Sequence, residues 1–165
     1  GGNFYAIVDV QAVGLDLKRE NYRSLIDAGN LLKTYINEQL PVVHPEKPFI
    51  NETTHIEFIG PSDTPGVYNK DAVVFPPGDI DRSPCGTGTS ARCAQLVAEG
   101  KLRVGESFVH ESFIGSLFRC KAVKETEVAG IPAVIPEVTG SAYMMGMSTF
   151  FLDPDDPFPI GFQLS

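Results

Sequence analysis

The 165-residue chain is 42% hydrophobic and 21% charged, which is ordinary for a globular protein of one domain with a core of its own. Its net charge of −8 excludes proteins that bind nucleic acid through a basic surface. No apolar run approaches the roughly 18 residues that a membrane span needs, and the N-terminal residues do not form a signal-peptide pattern. The three cysteines lack C-x-x-C spacing, which argues against a disulfide framework or zinc knuckle and predicts a reducing, cytoplasmic location.

The N-terminal part predicts a strand, a long helix and a second strand. Phe4 to Val10 has the apolar run of a buried strand, and it begins almost at once, without an initiator Met. We therefore expect a piece of a longer protein. A helix with one apolar stripe is predicted from about Leu17 to Leu40, with Asp16 as its cap, followed by a strand around Thr54 to Ile59.

The middle of the chain predicts one further strand and a central helix. Ala72 to Phe75 is a short strand pattern, and Thr89 to Glu99 is a helix with apolar residues on most faces. Ser90 or Thr89 is the expected N-cap, and Gly100 is expected to end the helix in a left-handed conformation.

The remainder predicts an all-β region. A turn is expected from Asp153 to Pro157, and glycines separate four predicted strands: Glu106–Glu111, Ser116–Glu125, Ala133–Val138 and Ser141–Leu152. Many strands around one apolar helix predict an α+β fold in which a curved sheet wraps around that helix.

A cysteine directly before the central helix is the strongest functional signal. Cys85 ends the run D-R-S-P-C and is followed by Gly-Thr-Gly-Thr. The first amides of a helix have no internal partners, so this position attracts anions and favours a thiolate. The flanking Pro84 and glycines favour a catalytic cysteine over a buried structural one.

Two nucleotide-binding motifs are alternatives to this interpretation. Gly86, Gly88 and Ala91 fit a loose G-x-G-x-x-A pattern, but the preceding residues are polar and cannot form the buried strand that the dinucleotide fingerprint requires. A Walker loop is excluded because no Gly-Lys-Ser/Thr follows. Cys93 and Cys120 fit core packing better than chemistry.

The histidines carry a weaker signal. His55 and Glu57 share strand parity, so we expect them to face the same side, either as a satisfied pair or at a pocket. His110 lies in a strand pattern and can face either way. Metal binding by histidines so scattered in sequence is not expected.

The motif D-R-S-P-C-G-T-G-T-S resembles the second cysteine motif of the proline racemase family, which includes proline racemases, 4-hydroxyproline 2-epimerases and trans-3-hydroxyproline dehydratases. The resemblance covers the whole chain. It includes the opening strand Gly1-Gly2-Asn3-Phe4-Tyr5-Ala6-Ile7-Val8 and further segments: Val43–Pro45, Glu57 with Gly60–Pro61, Glu111–Ser116, Glu137–Gly140 and Asp156–Phe158.

The resemblance implies a diaminopimelate-epimerase-like fold of two similar domains, each with a curved sheet around a helix and one cysteine at the helix start. The Met-Cys-Gly-His motif of the first domain is missing from this chain. Residues 1–165 therefore resemble the second domain alone, and the isolated half is expected to be inactive. The implied partners are an imino-acid substrate and the first domain, with a homodimer left open.

The resemblance also implies roles for individual residues. Cys85 is one of two acid/base thiols, and the backbone amides of Gly86 and Thr87 hold the substrate carboxylate. Asp81 pairs with the ring ammonium, Phe75 lines the apolar side, and His55 is a weaker candidate for a ring hydroxyl. No cofactor is implied, since no Schiff-base lysine or pyridoxal site is evident.

The choice of reaction follows from chemistry within the family. Dehydratases of the family carry Thr or Ser where this chain has Cys85, so a cysteine favours a racemase or epimerase, with a slight preference for 4-hydroxyproline over proline. The alternatives are trans-3-hydroxy-L-proline dehydration and a carboxylate- or imino-acid-binding domain without chemistry.

Overall fold

The computed structural model describes residues 2–163, which build one mixed seven-stranded sheet and two α-helices. In chain order the elements are β1 Phe4–Asp9, α1 Tyr22–Gln39, β2 Thr53–Gly60, β3 Asn69–Phe75, β4 Asp79–Ile80, α2 Gly86–Ala98, β5 Ser107–Glu111, β6 Leu117–Val128 and β7 Ile131–Thr139. Neither described helix has the length and hydropathy that crossing a bilayer requires.

The sheet runs β1-β2-β3-β5-β6-β7, and the short β4 pairs with β3. The β1–β2 and β3–β5 pairs are parallel, and the other pairs are antiparallel. The β3–β5 pairing is short, joining Asn69 to His110 and Lys70 to Glu111, so it couples the N-terminal and C-terminal parts of the sheet. The predicted α+β fold class is confirmed.

A first core lies between α1 and strands β1 to β3. Alternate residues of β2 and β3, among them Ile56, Phe58 and Val74, pack under Leu25 of α1. Gly29 allows this close approach, because a Cβ at that position would lie 2.9 Å from the Val74 side chain. Strand alternation then directs His55, Glu57 and Asp71 to the opposite face of the sheet.

A second core lies on that opposite face, where α2 packs against β6 and β7. It contains Cys93 and Leu96 of α2 together with Phe108, Cys120 and Ala122 of the sheet. Both Cys93 and Cys120 are fully buried free thiols, as expected for core residues. The far side of α2 remains exposed at Ala94 and Ala98, so the helix buries one face rather than all of them.

The two helices begin at residues other than those predicted. Leu17 is anchored in the first core and Asp16 Oδ1 accepts from Lys18 N and Asn21 Nδ2, so the chain turns there instead of entering a helix. A short 3-10 turn, Arg19–Asn21, precedes α1, which therefore begins five residues after Leu17.

The predicted N-cap of α2 is also wrong. Its N-cap is Cys85, since Thr89 N donates to Cys85 O as the first bond of the helix. The Thr89 hydroxyl instead donates to Pro84 O, and the Ser90 hydroxyl donates to Gly86 O. The predicted left-handed end is present, with Gly100 at φ 70°.

The predicted strand Ser141–Leu152 does not form. Residues 141–163 have no helix or strand among those described, and they are exposed throughout. This C-terminal arm carries ten exposed large apolar side chains: Tyr143, Met144, Met145, Met147, Phe150, Phe151, Leu152, Phe158, Ile160 and Phe162. The predicted turn is present, where Asp156 N donates to Asp153 O.

Candidate active site at the start of α2

Cys85 occupies a strained backbone position at the mouth of α2. Its φ of 58° and ψ of 119° are rare for a residue with a side chain and cost roughly 1–3 kcal/mol. Ser83 Oγ accepts from Cys85 N at 3.1 Å, which helps to hold this geometry. Within residues 2–163, no protein acceptor is found for the next two amides, those of Gly86 and Thr87. They are free to bind an anion beside the sulfur.

A chain of buried hydrogen bonds supports the residue before this cysteine. Arg92 Nε donates to Asn69 Oδ1, and Asn69 Nδ2 lies 2.8 Å from His110 Nε2. His110 Nδ1 lies 3.1 Å from Thr89 Oγ1, whose proton goes to Pro84 O. Because Arg92 can only donate, the chain has one consistent direction, which makes His110 a neutral imidazole protonated at Nδ1.

Two hydroxyl groups lie beside the Cys85 sulfur. Tyr5 on β1 has its hydroxyl oxygen 3.3 Å from Cys85 Sγ and 2.5 Å from Thr87 Oγ1. Thr87 Oγ1 is itself 3.7 Å from the sulfur. The Tyr5 ring stacks on His55 at a centroid distance of 4.9 Å. Cys85, Thr87 and His55, all predicted from sequence, are therefore brought together through a residue that was not predicted.

Asp81 is tied to the same loop. Its Oδ1 accepts from both the backbone N and the hydroxyl of Ser83, the residue that in turn holds Cys85 N. Asp81 also acts electrostatically on His55, whose pKa is nevertheless lowered because burial outweighs that charge. Phe75 is half-buried at the end of β3, on the same face of the sheet as Asp71, and pairs across the β3–β4 hairpin with Asp79.

Two carboxyl groups without hydrogen-bond partners are buried beneath the site. All four side-chain oxygens of Glu57 and Asp71 lack a partner among the described residues. Burial raises the pKa of Glu57 to about 8 and raises that of Asp71 well above its usual range, with the Glu57 charge adding to the Asp71 shift. Burial, reinforced by the Arg92 charge, lowers the pKa of His110 to about 3. Near neutral pH this cluster therefore holds protonated carboxyls beside a neutral imidazole.

The same three residues are the group of described side chains that could hold a metal ion, with potential ligand atoms within 4.8 Å of one another. His110 Nε2 lies 3.7 Å from Glu57 Oε1 and 3.8 Å from Asp71 Oδ2. However, that nitrogen already accepts from Asn69, whose orientation is fixed by Arg92. Only the two carboxyl groups then remain as ligands, and their burial favours the protonated forms, which do not bind a cation.

Sequence reasoning missed Tyr5 and most of the buried polar network. The shared face expected for His55 and Glu57 is consistent with the alternation of β2, but the packing of Glu57 against Gly88 was not foreseen. Glu57 Oε2 lies 3.2 Å from the position a Gly88 Cβ would take, so this glycine lets helix and carboxyl meet. A signal did exist, since charged residues stand at inward positions of otherwise apolar strands.

Comparison with known proteins identifies the family. A model of the proline racemase family matches residues 1–163. The chain is 48% identical to a 4-hydroxyproline 2-epimerase of Streptosporangium roseum over 164 residues, which are 99% of this chain and 49% of that protein. It is 43% identical to proline racemase A of Trypanosoma cruzi over 176 aligned residues, covering 99% of this chain and 42% of that one.

Solved structures show the same likeness. A hydroxyproline epimerase from Agrobacterium vitis, solved with bound trans-4-hydroxy-L-proline, matches with a TM-score of 0.82 and 43% identity, over 99% of this chain and 47% of that one. A probable proline racemase from Agrobacterium radiobacter, solved with carbonate, also gives 0.82, with 46% identity over 99% and 48% of the two chains. The chain spans about half the length of the relatives it matches. With its cysteine at the start of α2, it belongs to the proline racemase family.

Proposed function

We propose that this chain is the second-cysteine half of an amino-acid racemase or epimerase that needs no cofactor. It inverts the Cα of 4-hydroxyproline or proline and supplies one of two acid/base thiols. The observation that carries the proposal is Cys85 at the start of α2, next to two free backbone amides. The proposal is also supported by the similarity of this chain to proteins named as 4-hydroxyproline epimerases and to a proline racemase.

In the proposed reaction, the Cys85 thiolate removes the Cα proton on one face of the ring and becomes a thiol. A thiol of the first domain returns a proton to the opposite face and becomes a thiolate. The charge left on Cα spreads into the substrate carboxylate, where the amides of Gly86 and Thr87 stabilise it. In the reverse direction the two sulfurs exchange roles, so each must be competent in both protonation states.

The remaining predicted residues take supporting roles in this proposal. Asp81 pairs with the ring ammonium, and Phe75 lines the apolar side of the ring. His55, held against Tyr5, contacts the ring hydroxyl, which is the reason to prefer 4-hydroxyproline. The bound trans-4-hydroxy-L-proline of the similar Agrobacterium vitis enzyme supports the same preference.

The proposal requires a partner for this half. The exposed C-terminal arm, residues 141–163, supports such a partner because a surface of this kind is normally covered in a folded assembly. We infer that the partner is the first domain with the other cysteine, either on the same polypeptide or on another. The predicted homodimer and the cytoplasmic location stay predictions.

Two alternatives are retained. A trans-3-hydroxy-L-proline dehydratase needs a base on one face only, and a cysteine at position 85 argues against it. A carboxylate-binding domain without chemistry is consistent with the free amides of α2 and with the half-length chain.

The test is a hybrid enzyme in which this chain replaces the matching half of the Streptosporangium roseum epimerase. We expect incorporation of deuterium from D₂O at Cα of 4-hydroxyproline or proline, and a loss of at least about 10³-fold in Cys85→Ser, within the range for removing a general acid/base. Cys93→Ala, which changes a core thiol, is the matched control and keeps inversion. Retained inversion in Cys85→Ser would refute the proposal, and a dehydrated product would favour the dehydratase.

A further inference from the structure

The hydroxyls of Tyr5 and Thr87 form a closed triangle with the Cys85 sulfur. Its sides are 3.3 Å from Tyr5 to the sulfur, 2.5 Å between the hydroxyls and 3.7 Å from Thr87 to the sulfur. Tyr5 comes from β1, whereas the other two residues belong to the start of α2. The contact therefore joins positions 80 residues apart, and the ring is fixed by its stack on His55.

Hydroxyl groups can both donate and accept, which distinguishes them from the backbone amides at this helix start. When the sulfur is a thiolate, Thr87 donates to the Tyr5 oxygen and Tyr5 donates to the sulfur. When the sulfur is a thiol, the directions reverse and a hydroxyl oxygen accepts the S–H. The bond to the thiolate is charge-assisted and about twice as strong as its neutral counterpart, so the pair favours the thiolate.

Tyr5 remains a donor over the working pH range. Burial is the main cause that raises the pKa of Tyr5 above its usual range, and the hydrogen bond to Cys85 adds to it. The phenol therefore does not compete with the sulfur as a base.

We propose that Tyr5, assisted by the Thr87 hydroxyl, is a positioning residue that stabilises the thiolate form of Cys85. This role deepens the acid/base chemistry proposed for Cys85 and rests on it. The hydroxyl pair accounts for how one sulfur serves as base in one direction of the reaction and as acid in the other.

The other titratable groups around the sulfur are known and can be separated from Tyr5. They are His55 and Glu57 on β2, Asp71 on β3 behind Glu57, and Asp81 in the loop before Cys85. Burial raises the pKa of the Glu57 and Asp71 carboxyl groups, that of Glu57 to about 8, which is close to the range in which a thiol ionises. A Glu57→Gln background removes that contribution.

The experiment follows the alkylation of Cys85 by iodoacetamide in this 165-residue chain, with the modified peptide quantified by mass spectrometry from pH 6 to pH 10. In Tyr5→Phe we expect the rate at pH 7 to fall roughly tenfold and the midpoint of the rate profile to move up by about one pH unit, as for loss of one charge-assisted bond. The high-pH plateau stays the same, because access to the sulfur does not change. Thr87→Val gives a smaller shift in the same direction.

Tyr35→Phe is the matched control, because Tyr35 is exposed on α1, and its profile overlays that of the unaltered chain. A changed plateau with an unmoved midpoint would mean that Tyr5 only packs against the site, and it would overturn the inference. The Glu57→Gln background must give the same Tyr5-dependent shift. Alkylation needs no substrate, so the two proposals can fail separately. If Tyr5→Phe leaves the midpoint of the rate profile unmoved while the Cys85→Ser hybrid loses inversion, the role proposed for Tyr5 is refuted and the proposed function is not. A moved midpoint with inversion retained refutes the proposed function.

Discussion

Glu57 and Asp71 show that single residues of this site cannot be understood from charge alone. A carboxylate buried without partners is costly, and the group instead keeps its proton. Protonated carboxyls next to Cys85 add no negative charge that would oppose either a thiolate or a substrate carboxylate. The buried pair therefore preserves the anion-binding character of the helix start.

The raised pKa of Glu57 predicts how stability depends on pH. In the unfolded chain the group ionises near its ordinary pKa of 4.5, whereas in the folded chain it stays protonated up to about 8. The contribution of Glu57 to the free energy of unfolding is fully present below pH 4.5. It is lost as pH rises from 4.5 to about 8, at a slope of at most about 1.4 kcal/mol per pH unit. In Glu57→Gln, the free energy of unfolding, measured by urea denaturation, should decrease less between pH 5 and pH 8 than in the unaltered chain. Part of the decrease should remain, because Asp71 also has a raised pKa.

Glu52→Gln is the control for this prediction, because Glu52 is exposed just before β2. It should keep the pH dependence of the unaltered chain. Equal slopes for Glu57→Gln and the unaltered chain would mean that Glu57 is ionised in the folded state.

At the scale of elements, the start of α2 depends on buried side chains of the sheet. Thr89 is the last side chain of the hydrogen-bonded chain, since it accepts from His110 and donates to Pro84 O. The helix start, the strained cysteine and β5 are thus coupled through one hydroxyl.

Removing that hydroxyl should weaken the fold. Thr89→Val keeps the shape but leaves His110 Nδ1 and Pro84 O buried without a partner, so we expect a loss of about 1–3 kcal/mol in unfolding free energy by urea denaturation. Thr34→Val makes the same change on the exposed surface of α1, where Thr34 Oγ1 donates to Asn30 O. It should change stability by less than about 0.5 kcal/mol. Equal effects would show that the buried chain contributes nothing specific.

The elements also show which parts of the structure could be predicted from sequence. Strands with a partner in this chain, such as β2 and β6, were predicted to within a few residues because alternation marks their buried face. Ser141–Leu152 has the same β-forming residues but pairs with no described strand, and strand propensity without a partner does not make a strand. Cys85 was recognisable from its motif, whereas Tyr5 was not, because a contact across 80 residues leaves no local pattern.

At the scale of the whole molecule, the proposed mechanism requires a second domain that supplies the other half of the site. The amides of Gly86 and Thr87 can hold a carboxylate from one side, but the proposed mechanism needs a second thiol on the other side of the ring. Ligand binding should therefore test the need for a second domain more directly than activity does.

We expect the chain alone to bind pyrrole-2-carboxylate, a planar mimic of the carbanion, with a Kd above roughly 1 mM by calorimetry, because in the proposed arrangement this chain supplies one wall of the site. The hybrid enzyme should bind it at least about tenfold more tightly. Gly86→Pro removes one amide donor at a helix position that tolerates proline, and it should abolish binding. Gly86→Ala should leave binding unchanged, because it keeps the amide and its Cβ would meet open space. Micromolar binding by the chain alone would favour the domain that binds without chemistry.

The exposed arm has a consequence for how such a protein is made. Ten large apolar side chains on one uncovered stretch promote aggregation and chaperone binding, and in the proposed assembly this lasts until the first domain covers them. If the partner is a separate chain, the two halves must meet by diffusion while this stretch stays open. Synthesis on one polypeptide holds the partner at a high effective concentration, so the stretch is covered soon after it leaves the ribosome.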